Sequence, residues 1–215
     1  MSTWADRTAD RSPSVQRSRD RSVKQAKVLV DAGRRLVLEK GHNFTINELV
    51  KEAGVALQTF YRIFGGKDQL LLAVFEDLIA ESCTDYERAA APLPDPIARL
   101  HFYISATVGN VAEETYGIGP RFVTAEHWRL HQLFPDEMAH ATQHFTDMVQ
   151  RQLEFAVEEG LATSTDVPGD SWFITKLVMA TFHHYAYSET TTDRTVIAED
   201  LWSFCLRAIG GSESA

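Results

Sequence analysis

TINELVKEAGVALQTFYRIFGGK, residues Thr45 to Lys67, has the spacing of two short helices joined at Ala53-Gly54-Val55. Thr45 and Glu48 form a capping box: the threonine hydroxyl can accept from the Glu48 amide, and the glutamate can reach back to the Thr45 amide. Ile46, Leu49, Val50 and Ala53 then recur on one helical face. Gly54 stands where a chain leaving a helix needs a left-handed residue. The second helix carries Leu57, Gln58, Thr59, Tyr61 and Arg62 around two core candidates, Phe60 and Phe64. Helix, glycine turn, helix is the geometry that places a second helix in a DNA major groove.

AGVALQTFYRIFGGKDQLLLAVFE, which overlaps this stretch, resembles the DNA-binding signature of the TetR/AcrR family of bacterial transcriptional regulators. That signature runs AGVS, three variable residues, Phe or Leu, Tyr, a variable residue, His or Tyr, Phe, two variable residues, Lys, Glu or Asp, a variable residue, Leu. The chain matches it at Ala53, Gly54, Val55, Phe60, Tyr61, Phe64, Lys67, Asp68 and Leu70. It departs at Ala56, where serine is usual, and at Ile63, where histidine or tyrosine is common. The resemblance covers residues 22 to 75; the rest is similar only in length and helical character.

Outward from this stretch the pattern stays helical. Val23 to Lys40 presents Ala26, Leu29, Val30, Gly33, Leu36 and Val37 on one face, with Gly41 as a stop and Phe44 placed to staple onto the next helix. A long helix is expected from Lys67 to the Ala89–Pro94 break, and another from Asp95-Pro96 through Ile97, Leu100, Ile104, Val108 and Val111. Gly117-Ile118-Gly119-Pro120 interrupts; helices follow over Arg121–Gln132, from Phe134-Pro135-Asp136 to Gly160, over Asp170–Ser188 and over Asp193–Ile209. The expected class is all-α, about nine helices: a three-helix DNA-binding domain over 22–66 and a larger helical ligand-binding and dimerisation domain over 67–215.

Residues 1–21 carry Arg7, Arg11, Arg17, Arg19 and Arg21 among Ser, Thr and Asp. They are expected to form a flexible arm, either disordered or reaching phosphates and a minor groove. Charge is divided along the chain. Residues 1–70 hold 13 Lys+Arg against 8 Asp+Glu, a net of +5; the remainder holds 8 against 22, a net of −14. A basic N-terminal third suits a polyanion, and the acidic remainder is expected to point away from it. Cys83 and Cys205 lie far apart without metal-type spacing. With no apolar leader and no membrane-length run, a soluble protein of the reducing cytoplasm, with no membrane partner, is expected.

The resemblance implies a residue-by-residue reading of the DNA contact. Thr45, Tyr61 and Lys67 are expected on phosphates, which position without specifying sequence. Leu57, Gln58, Thr59 and Arg62 are expected to face bases, Gln58 suiting adenine and Arg62 a guanine or a phosphate. Leu57 either touches a thymine methyl or packs in the core. The resemblance also implies a homodimer formed by the last two helices, where Trp172, Phe173, Leu177, Ala180, Tyr187, Ile197, Leu201 and Phe204 supply apolar material.

A largely apolar small-molecule effector is expected between residues 101 and 187, with Tyr103, Thr107, Glu126, Trp128 and His183 as candidate contacts. His127 and His131, and His140 and His144, stand four apart on helices, but no third ligand accompanies either pair, so no metal or other cofactor is expected. No nucleophile elbow or phosphate loop is present, and an enzyme is not expected. The expected function is a sequence-specific regulator bound to a double-stranded operator, a repressor released from it by a small-molecule ligand; the alternative is a ligand-independent or activating regulator.

Overall fold

The computed structural model describes residues 12–109, 120–188 and 193–211. Among them are nine α-helices and no strand: α1 (Pro13–Lys40), α2 (Ile46–Ala53), α3 (Leu57–Ile63), α4 (Lys67–Ala90), α5 (Pro96–Gly109), α6 (Pro120–Leu133), α7 (Pro135–Glu158), α8 (Val167–Tyr187) and α9 (Arg194–Ala208). The all-α expectation holds. Arg7, Arg11, Val111 and the Gly117–Gly119 break lie outside the described residues. No helix is long and apolar enough to cross a membrane among the described residues.

Helix ends follow local chemistry. Proline stands in the first turn of α1, α7 and α8, where a missing amide costs nothing. Carboxylates cap three starts: Asp95 accepts from the Ala98 amide at 2.8 Å, Asp166 from Gly169 at 3.1 Å and Asp193 from Thr195 at 2.9 Å. Two starts differ from the sequence expectation. The Asp166 cap begins α8 three residues earlier, at Val167 rather than Asp170. α1 begins at Pro13, ten residues before Val23, and its side chains from Pro13 to Arg21 are all exposed. Apolar periodicity cannot reveal such a segment, because nothing in it is buried; it is propagated from a helix nucleated further on.

The chain divides into two compact units, Met1–Val74 and Phe75–Ala215. In the first, α1 packs on α2 and α3. Leu29, Ala32, Leu36, Val37, Phe44, Leu49, Phe60, Leu70 and Val74 are buried there. Gly33 lets the backbones close: a Cβ at that position meets Leu70 and Val74 side chains at 3.2 Å. In the second unit, α5 packs on α7 and α9, and α8 on α6 and α7. Its core runs from Ala90 through Leu100, Tyr103, Ile104, Met148, Leu153, Val178 and Trp202. Cys83 and Cys205 are free and buried, and burial pushes their thiols up to about 12 and about 11.

Candidate DNA interface and ligand cavity

The expected capping box is present. The Glu48 amide donates to Thr45 Oγ1 at 3.2 Å, and the Thr45 amide donates to Glu48 Oε2 at 2.7 Å. Lys40 Nζ adds a 2.8 Å bond to the same carboxylate. That lysine, together with the Thr45 amide and hydroxyl, holds the Glu48 carboxyl down at about 2. α2 therefore starts from a fixed position with the Thr45 side chain at the surface. Gly54 ends α2 at φ 64°, and its amide and that of Val55 return to the Lys51 and Val50 carbonyls.

Ala56 is the N-cap of α3 and supplies no side-chain cap, as its departure from the signature implies. Phe60 is the buried anchor of α3, packed edge-on to Tyr61 and tilted against Phe64. With Phe60 inward, Leu57, Gln58, Tyr61 and Arg62 are exposed and Thr59 is half-buried. Leu57 is 42% exposed and Tyr61 54%, so neither is a core residue of this unit.

Two basic residues have partners that spacing does not reveal. Arg62 Nη2 donates to Gln25 Oε1 of α1 at 2.7 Å. Lys67 Nζ donates to the Phe44 carbonyl at 2.7 Å and to the His42 carbonyl, and lies 4.3 Å from the Phe44 ring centroid. The ammonium thus ties the start of α4 to the segment that leads into α2. Tyr61, Gln58 and Thr45 lie on or beside α2 and α3, and Lys67 buttresses the turn before α2.

The second unit holds a cavity of about 160 Å³. α4 lines it with Phe75, Leu78, Ile79, Ser82, Cys83 and Tyr86; α5 with Thr107; α6 with Pro120, Val123 and His127; α7 with Thr142 and Phe145; α8 with Thr175, Met179, Phe182 and His183. No Asp, Glu, Lys or Arg is among these residues.

Of the five residues expected at a ligand, Thr107 and His183 line the cavity. The other three do not. Tyr103 is buried in the α5 core, Glu126 is buried and clasped by Arg129 at 2.7 and 2.9 Å, and Trp128 is 55% exposed. Residues on a buried helix share one hydrophobic face, and sequence does not say which part of that face meets a neighbour and which meets a gap.

The structure also brings together residues that the sequence keeps apart. The His127 and His183 ring centroids are 4.6 Å from each other. His183 Nδ1 is 2.9 Å from Thr124 Oγ1, and its Nε2 is buried without a hydrogen-bond partner. Burial lowers both imidazoles to about 4; His127 is lowered further by His183, His131 and Lys176. His131 stacks on His127 with ring centroids 6.2 Å apart. His140 and His144 each lie 3.8 Å from Glu76. Among the described residues no cluster of His, Cys, Asp or Glu is arranged to hold a metal.

Comparison with known proteins agrees with the N-terminal geometry. The family model described as bacterial regulatory proteins, tetR family, matches residues 29–74. The chain is 45% identical over 47 residues to the uncharacterised HTH-type transcriptional regulator YvaF of Bacillus subtilis, covering 22% of this chain and 25% of that protein. It is 26% identical over 134 residues to the HTH-type transcriptional regulator BetI of Brucella canis, covering 61% of this chain and 65% of that protein. These matches span less than two thirds of either relative.

Solved structures share the fold. RolR in complex with resorcinol superposes with a TM-score of 0.65 at 20% identity, over 90% of this chain and 91% of that one. FadR of Bacillus subtilis in complex with stearoyl-CoA superposes with a TM-score of 0.63 at 16% identity, over 87% and 99%. The capped α2, the Gly54 turn and the exposed face of α3 all fall within residues 29–74, the stretch that matches the model of the tetR family of bacterial regulatory proteins and is similar to HTH-type transcriptional regulators.

Proposed function

We propose that the chain is a repressor that leaves its operator when a small molecule fills the α4–α8 cavity. The observation that carries this reading is the course of α4. Its first residue, Lys67, fixes the turn before α2, and its later turns, from Phe75 to Tyr86, line the cavity. A ligand that binds one arrangement of α4 better than another shifts the population between states of different operator affinity. RolR and FadR were each solved with a small molecule bound, which supports the same use of the fold.

In this reading Thr45, Tyr61 and Lys67 meet phosphates, while Leu57, Gln58, Thr59 and Arg62 face bases. Arg62 then exchanges Gln25 for DNA. The chain acts as a homodimer, since paired half-sites call for a two-fold protein. Trp172, Phe173, Leu177 and Tyr187 of α8 and Phe204 of α9 are exposed large apolar residues. That concentration on the last two helices supports them as the dimer face.

The test is direct. Genomic footprinting identifies bound sites, and a reporter placed behind one of them gives the direction of control. Reporter output is expected to rise when the gene for this protein is deleted. Output that falls on deletion identifies an activator, and an operator that stays bound while the cavity is saturated excludes ligand release.

A further inference from the structure

We infer that the cavity selects a compact, uncharged, ring-sized molecule bearing a hydroxyl group, which hydrogen-bonds to the facing pair His127 and His183. The inference rests on the proposed effector role of the cavity and adds the class of ligand. Size comes first. A dry apolar cavity of about 150 Å³ accommodates one benzene ring, and this one is about 160 Å³. A long alkyl chain, with twice the heavy atoms or more, exceeds that volume.

Charge comes second. No ionised side chain is among the described residues that line the cavity, and an unpaired ion buried among Phe75, Phe145, Phe182 and Met179 is strongly disfavoured. The two histidines do not change that balance, since burial keeps them neutral above a pH of about 4.

Hydrogen bonding comes third. His183 Nε2 is the one buried side-chain nitrogen or oxygen among the lining residues that lacks a partner. His127 has ring contacts but no hydrogen bond among the described residues. If Thr124 donates to His183 Nδ1, Nε2 is a donor; if Nδ1 donates to Thr124, Nε2 is an acceptor. A ligand hydroxyl both donates and accepts, so it answers either tautomer. A carbonyl or an ether answers only one.

The experiment uses the full chain and four probes: phenol, toluene as its isostere without the hydroxyl, dodecanoate, and tetramethylammonium. Calorimetric titration is expected to rank phenol first, about tenfold tighter than toluene. His183→Phe and His127→Phe are each expected to reduce the ratio of phenol to toluene affinity. Equal binding of phenol and toluene, or tighter binding of dodecanoate or tetramethylammonium, overturns the inference. This ranking on the wild-type chain decides the matter even if a variant fails to fold. Operator retention is measured on the same samples. Phenol bound with the predicted preference but without operator release supports the ligand class and removes the release mechanism, so the two failures are distinguishable.

Discussion

Ala56 starts α3 without a side-chain acceptor for the amides of its first turn. Ala56→Ser is expected to raise unfolding stability by about 1 kcal/mol, the ordinary worth of a cap; chemical denaturation checks it. Lys67 and Tyr61 separate positioning from folding. Lys67→Ala removes a cation from the Phe44 and His42 carbonyls and is expected to cost about 1–3 kcal/mol of stability as well as operator affinity. Tyr61→Phe, at an exposed hydroxyl, is expected to weaken operator binding with an unchanged denaturation midpoint. Equal midpoints for both variants contradict the buttressing role. The Thr45–Glu48 box and the Gly54 turn were legible in the sequence because their partners lie within four residues. The Lys67 and Arg62 partners were not: they lie 23 and 37 residues away, where only the packing of α1 to α4 brings them into reach.

At the scale of elements, helical periodicity predicted most helices to within a few residues, since capping acids, prolines and glycines punctuate the chain. It failed where a helix buries nothing, from Pro13 to Arg21. It also failed to find the cavity, which depends on where α4, α6, α7 and α8 leave a gap between them. The sequence paired His127 with His131 by their spacing, whereas the nearer ring is that of His183, from another helix. The α6–α8 contact carries a pH prediction. His127 and His183 take up protons near a pH of about 4 in the fold, against about 6.5 in an unfolded chain. The groups facing them are His131, Thr124 and Lys176, none of them acidic. Between those two values the unfolded chain binds more protons, so stability is expected to fall as pH drops from 6.5 toward 4. Denaturation midpoints at pH 7 and 5.5 test it: the double variant His127→Phe/His183→Phe is expected to show a smaller drop than the wild type, and an identical drop contradicts the assignment.

At the scale of the molecule, charge divides a basic N-terminal third from an acidic remainder. The N-terminal residues 1–70 carry +5 and the rest −14, so operator affinity is expected to fall steeply with salt. The exposed apolar face of α8 carries the assembly prediction. Phe173, 62% exposed, is expected to lie within a dimer interface, and Phe173→Asp should shift a micromolar dimer to monomer in sedimentation; a wild-type monomer at that concentration contradicts the reading. The measurement that bears most directly on the account is footprinting of operator DNA with the wild-type chain and with Gln58→Ala. A two-fold symmetric protected site is expected for the wild type. Gln58→Ala is expected to lower the ratio of operator to random-DNA affinity while binding to random DNA persists. An absence of protection above random DNA, or a Gln58→Ala variant with an unchanged ratio, would contradict it.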